Sequence, residues 1–203
     1  QVQQWFQKNN LPAIIRGYSN VGIEISSLDE DWRASAFHAG GVLKRNGHHS
    51  IGLLMPDTKL AGLKATEEGL RQAIEQPDTN GVVHTLIDHT DPGSTHKALE
   101  RAFNLKDRPS AFVGTRSRHL LSVISWLAQH GLIIPRDISY ISLSYEQWYA
   151  HITPSISHYH SDPTTFAKSM LRKIISHCEH KTSQKLRLLM PEYTKGGSVK
   201  DIS

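Results

Sequence analysis

The sequence predicts an α/β protein in which parallel sheets are flanked by helices, and three observations lead to this prediction. Short runs rich in apolar and β-branched residues alternate with longer segments of helical period. The connections between them are short, as in βαβ units. Several runs, such as Ala111–Gly114, are largely apolar, which is typical of strands that helices cover on both faces.

The strands are predicted from the apolar runs, taken in chain order. The first follows the N-terminal segment 1–9, which has the pattern of the tail of a helix. Periodicity alone does not decide whether the strands form one sheet or two. We expect strands at 12–16, 22–25, 50–55, 82–87, 111–114, 138–143, 156–159 and 186–189.

The helices are predicted from apolar stripes that repeat every three or four residues. Asp29 or Asp31 can cap the first helix, and Ser94 can cap the third. Gly131 closes the fourth, and Pro163 suits the first turn of the last. We expect helices at 29–44, 61–75, 94–103, 117–130 and 164–180.

Composition excludes several classes of protein. With 203 residues, 38% hydrophobic and 21% charged, the chain is globular and makes one large domain or two small ones. Its only cysteine, Cys178, excludes a disulfide framework and suits a reducing compartment, so we expect a cytoplasmic protein. No apolar run approaches the roughly 18 residues that span a bilayer, so no membrane contact is expected. The net charge of +4 is spread out, which permits anion contacts without indicating a nucleic-acid surface.

Motifs for catalysis or cofactor binding are absent from the sequence. It contains no G-x-G-x-x-G or G-x-x-x-x-G-K-[ST] phosphate loop and no G-x-S-x-G nucleophile elbow. Two spacings could hold a metal: His158 with His160 on one face of a strand, and His177, Cys178 and His180 near a helix end. Neither brings the further ligands of a closed zinc site, and no acid–base pair converges on a reaction. We therefore expect no metal, no cofactor and no enzyme.

Seven segments match, in order, the motif set of one family of regulators. The most specific is residues 134–141 (IPRDISYI), which is similar to the motif vP.DisvigfD. Each of the other segments is a weaker match when taken singly, but the segments have the same order and spacing as the motifs of that family. Together they resemble the effector-binding domain of LacI/GalR-family transcription regulators over nearly the whole chain. The other segments are 11–15 (LPAII), 39–51 (AGGVLKRNGHHSI), 66–73 (TEEGLRQA), 109–113 (PSAFV), 154–159 (PSISHY), and 189–191 with 197–198 (LMP, GS).

This resemblance implies a two-lobed, periplasmic-binding-protein-like type I fold that holds a small effector between its lobes. The first lobe would comprise residues 1–26 and 160–186, and the second residues 27–159 and 187–203. The implied function is ligand sensing and dimerisation in a bacterial transcription regulator. The implied partners are a sugar-like effector and a second copy of the chain, with DNA contacted only through an N-terminal head that we do not expect in this chain.

Departures from the family pattern change the expected ligand. Thr66 stands where the family usually has Arg, and Arg116-Ser117 stands where it has Asn-Asp. Ser144 and Gly17 replace two aspartates. In the family these groups commonly bond sugar hydroxyls, whereas the guanidinium of Arg116 suits a carboxylate or a phosphate. We therefore expect a sugar or an anionic sugar derivative as the effector.

Ligands of open parallel sheets bind at the carboxyl ends of the strands, and most candidate contact residues follow a predicted strand. Two alternatives stay open for Arg116: it pairs with Asp88 or Asp57, or the pocket is vestigial. Trp148 either stacks on a ligand or packs over the cleft. The candidate contacts are Tyr18, Thr66, Arg116, Ser117, Ser144, Tyr145, Trp148, His160 and Asp162.

Two other classes of function stay open at the level of sequence. A free-standing solute-binding protein would need an export signal upstream of Gln1, and a small α/β enzyme would need the acid–base pair that is not found. Because the chain starts at Gln1 rather than Met, we expect a cut end. Compared with the family, the opening βαβα part of the first lobe is expected to be missing, which would leave an incomplete lobe with an exposed sheet edge.

Overall fold

The computed structural model describes residues 2–77, 80–89, 91–179 and 185–203, which form two sheets. The smaller sheet has the order β1 (Ile14–Arg16), β2 (Ser26–Glu30) and β8 (Leu186–Leu189), and all its strands are parallel. The larger sheet has six strands, of which only the last pair is antiparallel. Its order is β4 (Val82–Asp88), β3 (Ser50–Pro56), β5 (Ala111–Gly114), β6 (Ser139–Ser142), β7 (Ser157–His160) and β9 (Glu192–Thr194).

Six α-helices cover the sheets in the part of the chain that the structure describes. Asp31 caps α2 by accepting a hydrogen bond of 2.9 Å from the amide of Ala34. Asp91, not Ser94 as predicted, is the cap residue of α4, and Ser94 lies within its first turn. The helices are α1 (Val2–Lys8), α2 (Trp32–Arg45), α3 (Ala61–Ile74), α4 (Pro92–Phe103), α5 (Ser117–Gln129) and α6 (Pro163–Cys178).

One predicted strand, at 22–25, is wrong. Gly22 lies in a turn with φ +79°, and the strand is β2, which starts at Ser26. Its sequence SSLDE is polar, so no apolar run marked it. The strand forms because it pairs with β1 on one side and β8 on the other, which buries Ser27 and Leu28 completely. The short strand β9 was not predicted either, since its three residues pair only with β7.

The chain passes between the two sheets at three places: after β2, after β7 and after β8. These crossings fall close to the limits expected for the two lobes. The strand pairing places residues 27–30 and 187–189 in the smaller sheet, whereas the sequence-based limits assign them to the second lobe. Both β1 and β8 lie at edges of the described three-stranded sheet.

The larger sheet separates two apolar cores. On one face, α2 and α3 pack over Leu53 and its neighbours, and on the other face, α4 and α5 pack over Leu54 and Phe112. Consecutive residues of β3 therefore point into different cores, as expected of a strand that is covered on both sides. No helix among the described residues is long and apolar enough to cross a membrane.

Close packing of α2 against α3 depends on two glycines. A Cβ atom at Gly69 would lie 2.2 Å from the carbonyl oxygen of Arg33, and one at Gly40 would lie 2.6 Å from the Cβ of Ala73. The two helices therefore approach each other at distances that no larger residue permits. This contact fixes where the first turn of α3 lies relative to the start of α2.

We predict that Gly69→Ala destabilises the protein by about 1–3 kcal/mol, because the new methyl group meets backbone and pushes the helices apart. Gly41→Ala is the matched control, since that helical glycine has only the flexible Arg45 side chain nearby, at 3.4 Å. The control should be neutral or stabilising by up to about 1 kcal/mol. Urea unfolding of both variants measures the difference, and equal midpoints would contradict the proposed close contact.

Candidate functional site

A cavity of about 310 Å³ lies where the carboxyl ends of β1 and β2 face the larger sheet. The smaller sheet contributes Arg16, Tyr18 and Asp29 to its lining. Trp32 comes from the start of α2, Gly62 and Thr66 come from α3, and Arg116 follows β5. A cavity of this size and position, between two sheets, is typical of a site for a small molecule.

The floor of the cavity is built around Gly62. A Cβ atom there would lie 3.2 Å from Cδ1 of Trp32, 3.5 Å from Cδ2 of Tyr18 and 3.6 Å from Oδ2 of Asp29. The indole Nε1 of Trp32 donates a hydrogen bond of 3.2 Å to the same Oδ2 atom. Thr66, which is 1% exposed, donates its hydroxyl to the carbonyl of Gly62 at 2.9 Å. An indole, a phenol and a carboxylate therefore meet at the first turn of α3.

Burial and two carboxylates raise the pKa of Tyr18 at this floor. Burial raises it to about 12, and the carboxylates of Asp31 and Asp29 add to the rise. The Tyr18 hydroxyl is buried, and the backbone amides of Arg33 and Trp32 lie towards it and partly offset the rise. Burial also raises the pKa of Asp29, although Arg16 acts in the opposite direction.

Two arginines give the rim of the cavity a positive charge. The guanidinium of Arg16 lies over the ring of Phe166 on α6, with Cζ 5.1 Å from the ring centroid, which restrains it by a cation–π contact. Arg116 is the exposed cap residue of α5. Its guanidinium forms no ion pair with any residue that the structure describes.

The alternative that Arg116 pairs with Asp88 or Asp57 is wrong. Arg118 pairs with the buried Asp88, at 2.7 Å from Oδ2, and His89 Nδ1 lies 2.9 Å from Asp57 Oδ2. Asp88 is paired because the side chain of Arg118, two residues after Arg116 in α5, reaches the end of β4, and Asp57 contacts His89 instead. Arg116 is left to face the cavity.

A buried imidazole holds the backbone of Arg116 in place. His119 is completely buried, and its Nδ1 accepts a hydrogen bond of 3.3 Å from the amide of Arg116. In return, the amide of His119 donates to the carbonyl of Arg116 at 3.0 Å. His119 thus acts at the third helical position as Glu or Gln does in a capping box. Its Nε2 lies 3.4 Å from Asp88 Oδ2, so the ring links the cavity rim to the Arg118–Asp88 pair.

Three of the nine predicted contact residues, Tyr18, Thr66 and Arg116, line this cavity. Tyr145 and His160 line a separate groove of about 390 Å³, where the Tyr145 ring stacks on His158 at 4.6 Å. The structure does not bring these two residues to the cavity. For them, an effector contact stays a prediction.

The remaining four candidates have structural partners. Asp162 caps α6 by accepting from the amides of Thr164 and Thr165 at 3.0 Å, and its pKa is lowered first by the Thr165 hydroxyl at 2.7 Å and then by these amides. Trp148 packs beside Tyr149 against the core that contains Leu54 and Phe112. Ser144 lies 3.2 Å from the Ser142 hydroxyl, and Ser117 lies 3.4 Å from Glu146. Effector contacts from these four also stay predictions.

Several cavity residues were not singled out from the sequence: Arg16, Asp29, Trp32 and Gly62. Asp29 was interpreted only as a possible helix cap, and Asp31 takes that role. His119 was not singled out either. Its position three residues after Arg116 matches a capping box once the helix start is known, and this spacing was the one local signal available in the sequence. The other residues come together only through the pairing of β1 with β2 and the contact of α2 with α3.

A metal site finds no support in the described residues, where no group of three or more His, Cys, Asp or Glu side chains could hold an ion. His158 and His160 lie with ring centroids 5.8 Å apart, and His158 Nδ1 is hydrogen-bonded to the carbonyl of Ile156 at 2.7 Å. Cys178 is an exposed free thiol. His180 lies outside the described residues.

Two sheets whose strand ends enclose one cavity define a ligand-binding α/β domain. The chain belongs to the periplasmic binding protein-like domain family, whose model matches residues 41–199. The predicted resemblance to the effector-binding domains of LacI/GalR-family regulators is confirmed. The curated relatives and the named structural neighbours of known class are transcription regulators and not enzymes.

Similar curated proteins include two HTH-type transcriptional repressors named PurR. That of Mannheimia succiniciproducens is 23% identical over 195 residues, which are 95% of this chain and 58% of the relative. That of Aliivibrio salmonicida is 21% identical over 183 residues, which are 89% of this chain and 55% of the relative. The chain therefore spans less than two thirds of the length of these relatives.

Solved structures show the same fold. A LacI family transcriptional regulator from Bifidobacterium animalis subsp. lactis has a TM-score of 0.86 at 15% identity, covering 100% of this chain and 74% of its own. A LacI family transcriptional regulator from Enterococcus faecium, with bound ribose, has a TM-score of 0.80 at 14% identity, covering 100% and 75%. At this level of identity, the likeness shows the fold alone.

Titration of His119 gives a test of the capping contact. Burial lowers its pKa from 6.5 to about 4, with Asp88 opposing the shift. A histidine whose pKa is lower in the folded state stabilises most above pH 6.5 and loses that contribution as the pH falls towards 4. We predict that unfolding free energy falls by about 3 kcal/mol over this range through His119.

The variant His119→Gln keeps an acceptor for the Arg116 amide and a donor for Asp88, but it does not titrate. Its unfolding free energy should therefore depend less steeply on pH than that of the wild type. Chemical unfolding at pH 7, 5.5 and 4.5 measures the two curves. Parallel curves would contradict a buried neutral imidazole at this position.

Proposed function

We propose that this domain senses a small anionic effector, such as a sugar phosphate or sugar acid, as part of a transcription regulator. One observation carries the proposal: Arg16 from the smaller sheet and Arg116 from the larger sheet line the same cavity. An effector between them would be held by both sheets at once. A planar guanidinium binds carboxylate and phosphate oxygens through paired hydrogen bonds.

An anionic effector is also supported by the ion pairs around Arg116, because none of those that the structure describes includes its guanidinium. The neighbouring acids Asp88 and Asp57 are held by Arg118 and His89, so the described residues leave the Arg116 charge unpaired at the cavity. The hydrogen bond from the Arg116 amide to His119 Nδ1 fixes the backbone of Arg116. An anion would therefore meet a cation whose backbone is already held in place and whose charge needs no existing ion pair to be broken.

Regulation would follow from a shift between lobe arrangements. We propose that residues 2–30 and 161–189 form one lobe and residues 31–160 and 190–203 the other, in line with the strand pairing and within a few residues of the predicted limits. An effector that binds the closed arrangement more tightly moves the population towards it. DNA would be contacted through a head outside this chain, and the protein would act in the cytoplasm, as suits the regulators that it resembles.

Dimerisation is proposed through an apolar stripe on α5 and the turn that follows it. Leu121 is 55% exposed and Ile133 is 51% exposed. Ile133 lines an apolar groove of about 160 Å³ together with Ile124 and Leu132, and Leu121 lies three residues before Ile124 on α5. Contiguous exposed apolar surface of this kind marks interaction sites, and a second copy offers a matching apolar surface.

We predict that Arg116→Ala raises the Kd of glucose 6-phosphate by at least about 10-fold, because the charge-assisted hydrogen bonds to the phosphate are lost. Arg108→Ala is the matched control. Arg108 precedes β5 at its opposite end and does not line the cavity. Isothermal titration calorimetry of the two variants and the wild type measures the effect. Equal affinities for wild type and Arg116→Ala would contradict the proposed anion site.

For the dimer, we predict that Leu121→Glu shifts the protein to the monomer, because it places a charge in a desolvated apolar interface. Val21→Glu is the control, since Val21 is fully exposed and lies far along the chain, on the smaller-sheet side. Sedimentation velocity over a range of concentrations measures the oligomeric state. If the wild type is monomeric, or Leu121→Glu remains dimeric, this surface is not the interface.

A further inference from the structure

The cavity has two parts of opposite charge. At the rim, Arg16 and Arg116 are exposed and positive. At the floor, Asp29 is half-buried beside Trp32 and Tyr18. Burial is the main cause of the raised pKa of Tyr18, and the carboxylates of Asp31 and Asp29 add to it.

Asp29 is hydrogen-bonded only by neutral groups. Its Oδ2 accepts from the Trp32 indole at 3.2 Å, and the amide of Glu30 also donates to the carboxylate. No cation of the described residues lies within ion-pair distance, and the Arg16 guanidinium is placed over Phe166 instead. Arg16 acts on Asp29 only by longer-range attraction, which lowers the pKa of the carboxylate less than burial raises it. A half-buried carboxylate that no cation contacts is costly, and a bound ligand can supply that contact.

We propose that the effector is amphoteric: an ammonium group binds Asp29 at the floor of the cavity, while the anionic group binds the arginines at the rim. This inference rests on the proposed function, because it adds a second contact to the same cavity. Trp32 and Tyr18 would cover the carbon skeleton between the two charged ends. An amino sugar phosphate and a small amino acid both have this distribution of charge.

A hydroxyl group could also donate to Asp29, but it would leave the negative charge of the floor uncompensated. Discrimination between an ammonium and a hydroxyl is therefore what separates this proposal from simple anion binding. Glucosamine 6-phosphate and glucose 6-phosphate form a matched pair of probes, since they differ only in the group on carbon 2.

Calorimetry with both probes, on the wild type, Asp29→Asn and Arg116→Ala, tests the proposal. Wild type should bind glucosamine 6-phosphate at least about 10-fold more tightly than glucose 6-phosphate. Asp29→Asn should abolish that preference, so that the two probes bind with similar affinity. Arg116→Ala should weaken both probes.

The outcomes separate the two proposals. If both probes bind equally to wild type and Arg116→Ala weakens both, the anion site stands and the ammonium contact at Asp29 is refuted. The contact is refuted as well if the preference survives in Asp29→Asn. If neither probe binds, both proposals fail.

Thermal unfolding without any ligand gives a second measurement. Asp29→Asn keeps an acceptor for the Trp32 indole and removes a desolvated charge, so its midpoint should rise by a few degrees. Glu100→Gln, at an exposed acid on α4 that does not line the cavity, is the control and should leave the midpoint nearly unchanged. A lower midpoint for Asp29→Asn would show that the carboxylate is already compensated within the protein, and would overturn the inference.

Discussion

The close contact between α2 and α3 determines the width of the cavity. Because Gly69 admits the Arg33 carbonyl and Gly40 admits Ala73, the two helices pack at backbone distance. The first turn of α3 is thereby placed against Trp32, and Gly62 closes the floor over Asp29. Helix packing therefore contributes to the burial of Asp29 and Tyr18, which raises the pKa of both groups.

Much of the fold could be predicted from the sequence because the larger sheet is buried on both faces. Its strands β3, β4, β5 and β6 are the apolar runs at 50–55, 82–87, 111–114 and 138–143, each within a residue of the observed bounds. The smaller sheet is different, since the polar strand β2 is held by pairing on both sides and not by its own composition. Such a strand has no local signal, and the prediction at 22–25 failed for that reason.

The site could be predicted only where a residue directly follows a strand. Arg116 does so, and its departure from the family pattern indicated an unusual ligand. Asp29, Trp32 and Gly62 come from three different elements, and only tertiary packing brings them together. Asp29 was misinterpreted as a possible helix cap, because an Asp residue before a helix often has that role. Asp31, two positions later, is the residue that caps α2.

The hydrogen bond from the Arg116 amide to His119 has a consequence for signalling. An imidazole whose Nδ1 is engaged, and whose pKa lies at about 4, does not change its protonation between pH 6 and pH 8. The rim arginine is therefore anchored by a histidine that cannot act as an acidity switch. Between pH 6 and pH 8, protonation of His119 therefore does not alter the backbone position of Arg116.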